Sequence, residues 1–163
     1  MIFVTVGTQL PFDRMIGAVD RWAATKAEGQ VFAQVGPTAI QPRHIEYQNF
    51  ISPAECRERM LAASAVVAHA GMGTILSALE MGKPLLIFPR RAALGEHRND
   101  HQLATARRFA ELGTVGVALD EDELHAKLDA LDGLVSAEGI GPYAPAPFIA
   151  ALRDFIDGKP QLA

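Results

Sequence analysis

The sequence alternates short apolar runs with longer amphipathic stretches, and this alternation constrains the fold more than any other feature. Runs rich in β-branched and aromatic residues lie at 2–6, 31–35, 65–68 and 84–89. Amphipathic stretches separate them, and in residues 12–27 the apolar positions recur at helical spacing. Buried strands that alternate with helices form a parallel sheet covered on both faces. We therefore predict an α/β fold with a doubly wound parallel sheet.

Shorter signals predict the remaining elements. Ser52 followed by Pro53 is a typical helix start, with the serine as N-cap and the proline at the first helical position. Further strands are predicted at 45–50 and 115–119, and further helices at 74–81, 101–112, 120–131 and 148–157. We expect residues 1–132 to form one nucleotide-binding type of domain. Residues 133–163 then form a Pro/Gly-rich connector and a C-terminal helix.

The composition limits the class of protein. A chain of 163 residues, 49% hydrophobic and 21% charged, is typical of one folded globular domain. Its single cysteine, Cys56, has no second cysteine to pair with. We expect neither a transmembrane helix nor a signal peptide, because no apolar run is long enough and no basic segment precedes the first one. The expected location is therefore cytoplasmic.

Charge is unevenly distributed along the chain. The net charge of −4 disfavours nucleic acid as a partner. Residues 83–111 nevertheless carry six basic and three acidic groups, whereas residues 112–163 carry three basic and nine acidic groups. The middle segment is the one suited to attract an anion, although a solvated helix face would give the same pattern.

The strongest local motif is His-Ala-Gly-Met-Gly-Thr at residues 69–74, between a predicted strand and a helix. Ligands bind at the carboxyl ends of strands in this fold class. Glycines allow close approach of the backbone, and a helix N-terminus offers free N–H groups, so the turn suits a diphosphate. His69 and the Thr74 hydroxyl would be additional donors. A tight turn that needs glycine only for steric reasons is the alternative.

Other nucleotide-binding motifs are incomplete. The third glycine of the dinucleotide fingerprint is absent after Gly73, and no Gly-Lys-Ser/Thr of a P-loop follows, which disfavours a separate NAD- or ATP-binding domain. The chain also has no Gly-x-Ser-x-Gly, which disfavours a serine hydrolase. Gly7 and Thr8, after the first strand, form a weaker candidate for ligand contact, and a simple turn is the alternative there.

The loop at residues 89–102 is the second strong motif, because polar side chains crowd the end of a buried strand. Side chains of Asp, Asn, His and Gln suit a ligand rich in hydroxyl groups, such as a sugar, and arginines suit a phosphate or a carboxylate. A metal site formed by His97 and His101 is conceivable from their spacing. Arg98, however, stands where the zinc protease motif has glutamate, and we expect no metal.

Taken in order, these motifs resemble a known family. Residues 1–8, 11–14, 69–74, 82–84, 89–91 and 96–103 are similar to segments of the small catalytic subunits of split, two-subunit glycosyltransferases, which are related to the C-terminal domain of glycosyltransferase family 28. Bacterial exopolysaccharide subunits of the PssE type and the eukaryotic UDP-N-acetylglucosamine transferase subunit are examples. The resemblance covers residues 1 to about 119.

The resemblance implies the Rossmann-like C-terminal half of a GT-B enzyme, with strand order 3-2-1-4-5-6. It implies an inverting, UDP-sugar-dependent transferase of exopolysaccharide biosynthesis that needs no cofactor and no metal. A membrane-anchored partner subunit would bind the polyprenyl-diphosphate-linked saccharide acceptor and supply the general base. The chain would then be inactive alone and would lie at the inner membrane through this partner. The connector and C-terminal helix of residues 133–163 would be a candidate contact with it.

The resemblance and the polar loop together predict the site residues. The diphosphate is expected at Gly7, Thr8, His69, Gly71, Met72, Gly73 and Thr74. The donor sugar is expected near Arg90, Arg91, Glu96, Asn99, Asp100, His101 and Gln102. Ser77 occupies the position where the family usually has a glutamate that grips the ribose, and Glu80, one turn further on, is the candidate replacement.

Two alternatives stay open. Ser77 favours a non-catalytic binding or scaffolding subunit that has lost donor binding, because a hydroxyl cannot make the bidentate, charge-assisted contact of a carboxylate. The donor sugar is also undecided. Glucuronic acid would suit Arg90 and Arg91, whereas N-acetylglucosamine and glucose would not need them.

Overall fold

The computed structural model describes residues 1–136, 141 and 143–158. The strands in these residues are β1 (Ile2–Thr5), β2 (Val31–Gln34), β3 (Glu46–Gln48), β4 (Ala65–His69), β5 (Leu85–Phe88) and β6 (Gly116–Val117). The helices are α1 (Asp13–Ala23), α2 (Pro53–Ala62), α3 (Met72–Glu80), α4 (His101–Leu112), α5 (Glu121–Asp129) and α6 (Ala146–Ile156). Single turns of 3-10 helix occupy Ala92–Leu94 and Leu131–Gly133.

The strands form one parallel sheet in the order β3-β2-β1-β4-β5-β6. This confirms the predicted doubly wound fold and the predicted strand order. The order of the strands reverses between β1 and β4, where Thr5 is in register with Ala68. The loops after these two strands therefore lie side by side at the carboxyl edge of the sheet. That edge is where ligands bind in doubly wound folds.

Two hydrophobic cores hold the helices against the two faces of the sheet. Successive strand residues point to opposite faces. Val4 and Val67 belong to the core that contains α1 and α5, whereas Phe3 and Val66 belong to the core of α2, α3 and α4. All four of these side chains are fully buried. The continuous apolar runs of the sequence are thus the two-sided interior of the sheet.

Helix starts agree with the sequence signals, with one informative shift. The Ser52 hydroxyl accepts a hydrogen bond from the Glu55 N–H at 3.1 Å, and the Asp120 carboxylate accepts one from the Glu123 N–H at 2.9 Å. Helix α3, in contrast, begins at Met72 and not at residue 74, because Gly71 is already its N-cap in extended conformation. The sequence pattern placed the start too late because Gly71 and Gly73 lie there, and glycine is a poor helix former.

The C-terminal helix has an exposed apolar surface. Helix α6 begins two residues before the predicted residue 148, and none of its residues is buried. Phe148, Phe155 and Ile156 are 56%, 69% and 79% exposed. Part of the predicted connector (residues 137–140 and 142) and residues 159–163 lie outside the described residues, and the division at residue 132 stays a prediction. Within the described ranges, every helix is too short or too polar to cross a membrane.

Candidate functional site

A cavity of about 440 Å³ opens at the carboxyl edge of the sheet, around the ends of β1, β2, β4 and β5. Its volume is within the range of small-molecule sites. The predicted site residues that line it are Gly7, Thr8, His69, Gly71, Gly73, Thr74, Arg90, His101 and Gln102. The structure therefore brings the glycine-rich turn, the first loop and part of the polar loop to one place.

The turn between β4 and α3 presents unpaired main-chain donors. Gly71 caps the helix, and its carbonyl accepts the first helical hydrogen bond from Ile75 at 3.1 Å. No side chain in the described part of the chain caps this end. The N–H groups of residues 72–74 thus stay available to a ligand, as expected for the first turn of a helix. Together with the positive end of the helix dipole, they suit an anion such as a phosphate.

The imidazole of His69 packs closely against two glycines. A Cβ atom on Gly71 would lie 2.3 Å from Nε2 of His69, and a Cβ atom on Gly7 would lie 2.9 Å from its Cε1. Gly7 also has a φ of +77°, a backbone conformation that residues with a side chain rarely adopt. The ring therefore packs against the main chain of both loops, and it joins the two segments that were predicted to contact the diphosphate.

Burial keeps His69 neutral. Removal of the ring from water, followed by repulsion from the nearby Arg90 guanidinium, lowers the pKa of His69 from 6.5 to about 4. A neutral imidazole offers one N–H donor and one acceptor nitrogen. His69 can therefore donate a hydrogen bond into the cavity near pH 7 without carrying a charge.

We expect this lowered pKa to make stability depend on pH. Unfolded histidine binds a proton near pH 6.5, but folded His69 does so only at about 4, so the free energy of unfolding falls as the pH drops through this window. Between about pH 7.5 and pH 4.5 the loss from His69 should be about 2 kcal/mol. Urea unfolding of the wild type and of His69→Gln at both pH values isolates this contribution. A histidine NMR titration that placed His69 near 6.5 would contradict the expectation.

Two polar residues under the cavity were missed by the sequence analysis. The Thr5 hydroxyl donates to Oε1 of Gln34 at 2.9 Å and accepts from the Gly7 N–H at 3.3 Å. Both side chains are buried and line the cavity. A polar residue at the last position of a buried strand was the signal that could have identified them. Cys56 also lines the cavity, and burial raises the pKa of its thiol.

The polar loop is tied together by its own side chains. The Asp100 carboxylate accepts a hydrogen bond from the Ala92 N–H at 2.8 Å, and the Asn99 side-chain oxygen binds the ring and the N–H of His101. The rings of His97 and His101 meet edge to face, with their centres 4.4 Å apart. Partial burial lowers the pKa of His97, and electrostatic effects of the neighbouring His101, Arg90 and Arg98 add to this.

The charged ends of Arg90, Arg91 and Glu96 bind other parts of the chain. The Glu96 carboxylate accepts from Nε of Arg14 at 2.7 Å and from the Arg91 N–H at 2.9 Å. The Arg91 guanidinium donates to the carbonyl of Leu119. The Arg90 guanidinium donates to main-chain carbonyls of the loop after β1. All three charged groups thus bind other groups of the protein, and their contact with a sugar stays a prediction.

The residues predicted to hold the ribose lie outside the cavity lining. The Ser77 hydroxyl donates to the Gly73 carbonyl at 2.9 Å, within α3 itself. Glu80 is exposed at the last position of this helix. The other predicted site residues that are not part of the lining are Met72, Arg91, Glu96, Asn99 and Asp100. Their roles stay predictions, as do those of Ser77 and Glu80.

The expectation that the chain binds no metal stays a prediction. Among the residues that the structure describes, no group of three or more His, Cys, Asp or Glu side chains is placed to hold an ion. His97 and His101 are close neighbours, but their contact is between rings and adds no third ligand.

The sheet order, the helix layers and the cavity at the switch point define a Rossmann-like α/β domain, the fold of one half of GT-B glycosyltransferases. Solved structures share this architecture. The NMR structure of ALG13 superposes with a TM-score of 0.59 at 20% identity, over 93% of both chains. MurG of Acinetobacter baumannii superposes with a TM-score of 0.57 at 19% identity, over 82% of this chain and 42% of that one.

The sequence then assigns the family. The glycosyltransferase family 28 C-terminal domain matches residues 1–133, and this chain belongs to that family. It is 34% identical over 144 residues to the UDP-N-acetylglucosamine transferase subunit ALG13 of Eremothecium gossypii, covering 86% of this chain and 66% of that protein. It is 30% identical over 122 residues to human ALG13, covering 69% of this chain and 10% of that protein. The chain thus spans only part of the relatives it matches.

Proposed function

We propose that this chain is the donor-binding subunit of an inverting glycosyltransferase. It takes a sugar from a UDP-sugar and passes it to a polyprenyl-diphosphate-linked saccharide during polysaccharide biosynthesis. The observation that carries this proposal is the first turn of α3, which presents three main-chain N–H groups and two glycines beside the neutral His69. A diphosphate is the ligand group that such a turn fits best.

The relatives support a UDP-sugar as the donor. Both ALG13 proteins are named as UDP-N-acetylglucosamine transferase subunits, so UDP-N-acetylglucosamine is the first donor to test. Glucuronic acid is less favoured as the donor sugar, because the guanidinium groups of Arg90 and Arg91 already bind main-chain carbonyls. Glucose needs no arginine and remains a candidate.

A partner subunit completes the proposed enzyme. The relatives are named as subunits, and this chain matches only 42% of the MurG chain. We propose that a membrane-anchored partner binds the acceptor, carries the general base and holds this chain at the cytoplasmic side of the inner membrane. Inversion needs such a base to deprotonate the acceptor hydroxyl as it attacks. Without the partner, donor binding is expected but transfer is not.

Calorimetric titration tests the donor site directly. UDP, UDP-N-acetylglucosamine, UDP-glucose and UDP-glucuronic acid are titrated into the chain, alone and with its co-purified partner, with ADP as the control. We expect UDP and at least one UDP-sugar to bind in their separate titrations, and we expect no binding of ADP. Failure of UDP and every UDP-sugar to bind, even in the presence of the partner, would refute the proposal.

A non-catalytic scaffolding subunit is the second candidate. It is favoured by Ser77, whose hydroxyl bonds to Gly73 within α3 and offers no carboxylate to a ribose. In that case the fold and the partner contact persist, but the first turn of α3 has no ligand. Substitution of Gly73 separates the two candidates, as argued in the Discussion.

Removal of the C-terminal helix is expected to affect the partner more than the donor. A chain ending at residue 140 lacks α6 and its exposed Phe148 and Phe155, which do not contribute to the cavity. We expect complex formation to weaken by about tenfold or more, with UDP affinity within about twofold of the full chain. Co-purification and calorimetry measure the two quantities. The double substitution of Phe148 and Phe155 by serine is the matched variant that keeps the chain length. Weakened UDP binding with an intact complex is the opposite result and would contradict this role.

A further inference from the structure

Arg90 is a buried cation whose role the glycine-rich turn does not explain. Its side chain is 3% exposed, two residues after the end of β5. Within the described residues, no carboxylate forms an ion pair with it. Burial lowers its pKa, and the charge of Glu96 partly opposes this effect. A buried charge is tolerated only when its hydrogen-bonding groups are satisfied. The partners of this guanidinium therefore indicate what the residue does.

Three of its four partners are main-chain carbonyls of the loop between β1 and α1. One terminal nitrogen, Nη2, donates to the carbonyls of Val6 and Leu10, both at 2.8 Å. The other, Nη1, donates to the Pro11 carbonyl at 2.5 Å and to that of Glu96 at 3.4 Å. The guanidinium carbon also lies 4.5 Å from the centre of the Phe12 ring. Arg90 thus binds both ends of the segment formed by residues 7–10.

The sheet order makes this contact a bridge across the site. Strand β4 lies between β1 and β5, so the side chain of Arg90 reaches past the carboxyl end of β4 to the loop after β1. Thr8 and Gln9 of that loop are exposed and line the cavity, as the glycine-rich turn does. Arg90 therefore ties the loop after β1 to the end of β5, and both contribute to the cavity lining.

The main chain of Arg90 orients Gln102, another residue of the cavity lining. Its N–H donates to Oε1 of Gln102 at 3.2 Å, and Gln102 is a buried residue of α4 that lines the cavity. With its oxygen engaged, the amide of Gln102 keeps N–H groups for another acceptor. One residue thus sets the placement of the first loop through its side chain and of Gln102 through its backbone.

We propose that Arg90 is a positioning residue, which holds residues 7–10 and Gln102 in the arrangement that donor binding requires. The inference rests on the proposed function for its ligand, but it differs from the sequence prediction that Arg90 itself contacts the sugar. A planar guanidinium with several fixed donors is needed for this task. Lysine keeps the charge but has a single ammonium group on a flexible stem, and it cannot bind the same set of carbonyls.

Two variants of Arg90 and two matched controls test the proposal. Arg90→Lys keeps the charge, and Arg90→Met removes it. Arg107→Lys and Arg107→Met change an exposed arginine of α4 that is absent from the cavity lining. Backbone ¹⁵N relaxation of Thr8 and Gln9 reports the order of the loop, and calorimetry with UDP reports binding. Chemical denaturation gives the folded fraction of each variant.

We expect both Arg90 variants to loosen the loop. The order parameters of Thr8 and Gln9 should fall from about 0.85 to below about 0.6, and UDP affinity should fall about tenfold or more, for the folded protein. The Arg107 variants should match the wild type in both measurements. Arg90→Lys is decisive if Arg90→Met fails to fold.

Unchanged order parameters in folded Arg90→Lys would overturn the proposal, as would UDP affinity within about twofold of the wild type. A merely structural role would lower the unfolding midpoint but leave the affinity of the folded protein unchanged. Should UDP and the UDP-sugars bind neither the wild-type chain nor its complex with the partner, the proposed function fails, while the relaxation measurement still decides whether Arg90 holds the loop.

Discussion

Replacement of Gly73 by leucine is expected to abolish UDP binding and to leave the fold intact. A Cβ atom at this position would meet nothing within 4 Å, and its backbone φ is not in the left-handed region. Gly73 is the second residue of α3, where leucine is a better helix former than glycine by about 0.5–1 kcal/mol. The same position lines the cavity and carries one of the free N–H groups. A side chain there occupies the place of the ligand.

The expected loss of UDP affinity is at least about a hundredfold, with an equal or higher free energy of unfolding. Gly73→Ala should give an intermediate loss. Gly133→Leu is the matched control, because a Cβ atom there also has open space but the residue lies in a 3-10 turn away from the cavity. Calorimetry with UDP and urea unfolding provide the two measurements. Wild-type UDP affinity in Gly73→Leu would contradict a diphosphate at this turn. The scaffolding subunit instead predicts that the wild type binds no UDP and that Gly73→Leu leaves the product made by the complex unchanged.

The fold was predictable because the sheet is buried on both faces. The apolar runs that contain Val4 and Val67 have apolar side chains on both faces. They can be covered by helices on both sides only as inner strands of a parallel sheet. The strand order did not follow from this pattern, and the family resemblance supplied it. The start of α3 was misplaced by two residues. The low helix propensity of Gly73 disfavours a helix at this position, but Gly71 adopts the N-cap conformation and the helix therefore begins at Met72.

The site was predictable only where its residues are neighbours in the sequence. The turn at residues 69–74 contains its glycines, its histidine and its helix start in one segment, so the sequence located it. The charged residues, in contrast, bind partners that are distant in the sequence. Arg14 and Glu96 are 82 positions apart, and Arg90 and Val6 are 84 positions apart. No local pattern distinguishes an arginine that binds a ligand from one that binds such a carbonyl.

Replacement of Gly71 by alanine is expected to damage the fold itself. The new Cβ atom would lie 2.3 Å from Nε2 and 2.9 Å from Cδ2 of His69. The ring is also in close contact with Gly7, where an added Cβ atom would lie 2.9 Å from its Cε1, and this contact limits its movement. Such overpacking costs about 1–3 kcal/mol of stability, and it displaces the imidazole from the cavity. We therefore expect Gly71→Ala to lower the free energy of unfolding by about 2 kcal/mol or more and to reduce UDP binding.

A double-mutant cycle identifies the cause. In His69→Ala the ring is absent, so adding Gly71→Ala should cost little, and the coupling energy should reach about 1–3 kcal/mol. Urea unfolding of the four proteins measures it, and additive losses would show that the ring is not what requires glycine at this position. Coupling at Gly71 together with the tolerance expected at Gly73 would assign different causes to the two glycines. The first is required by the packing of His69, and the second by the approach of a diphosphate. The steric and the ligand-binding explanations of the turn would then both hold, each for its own residue.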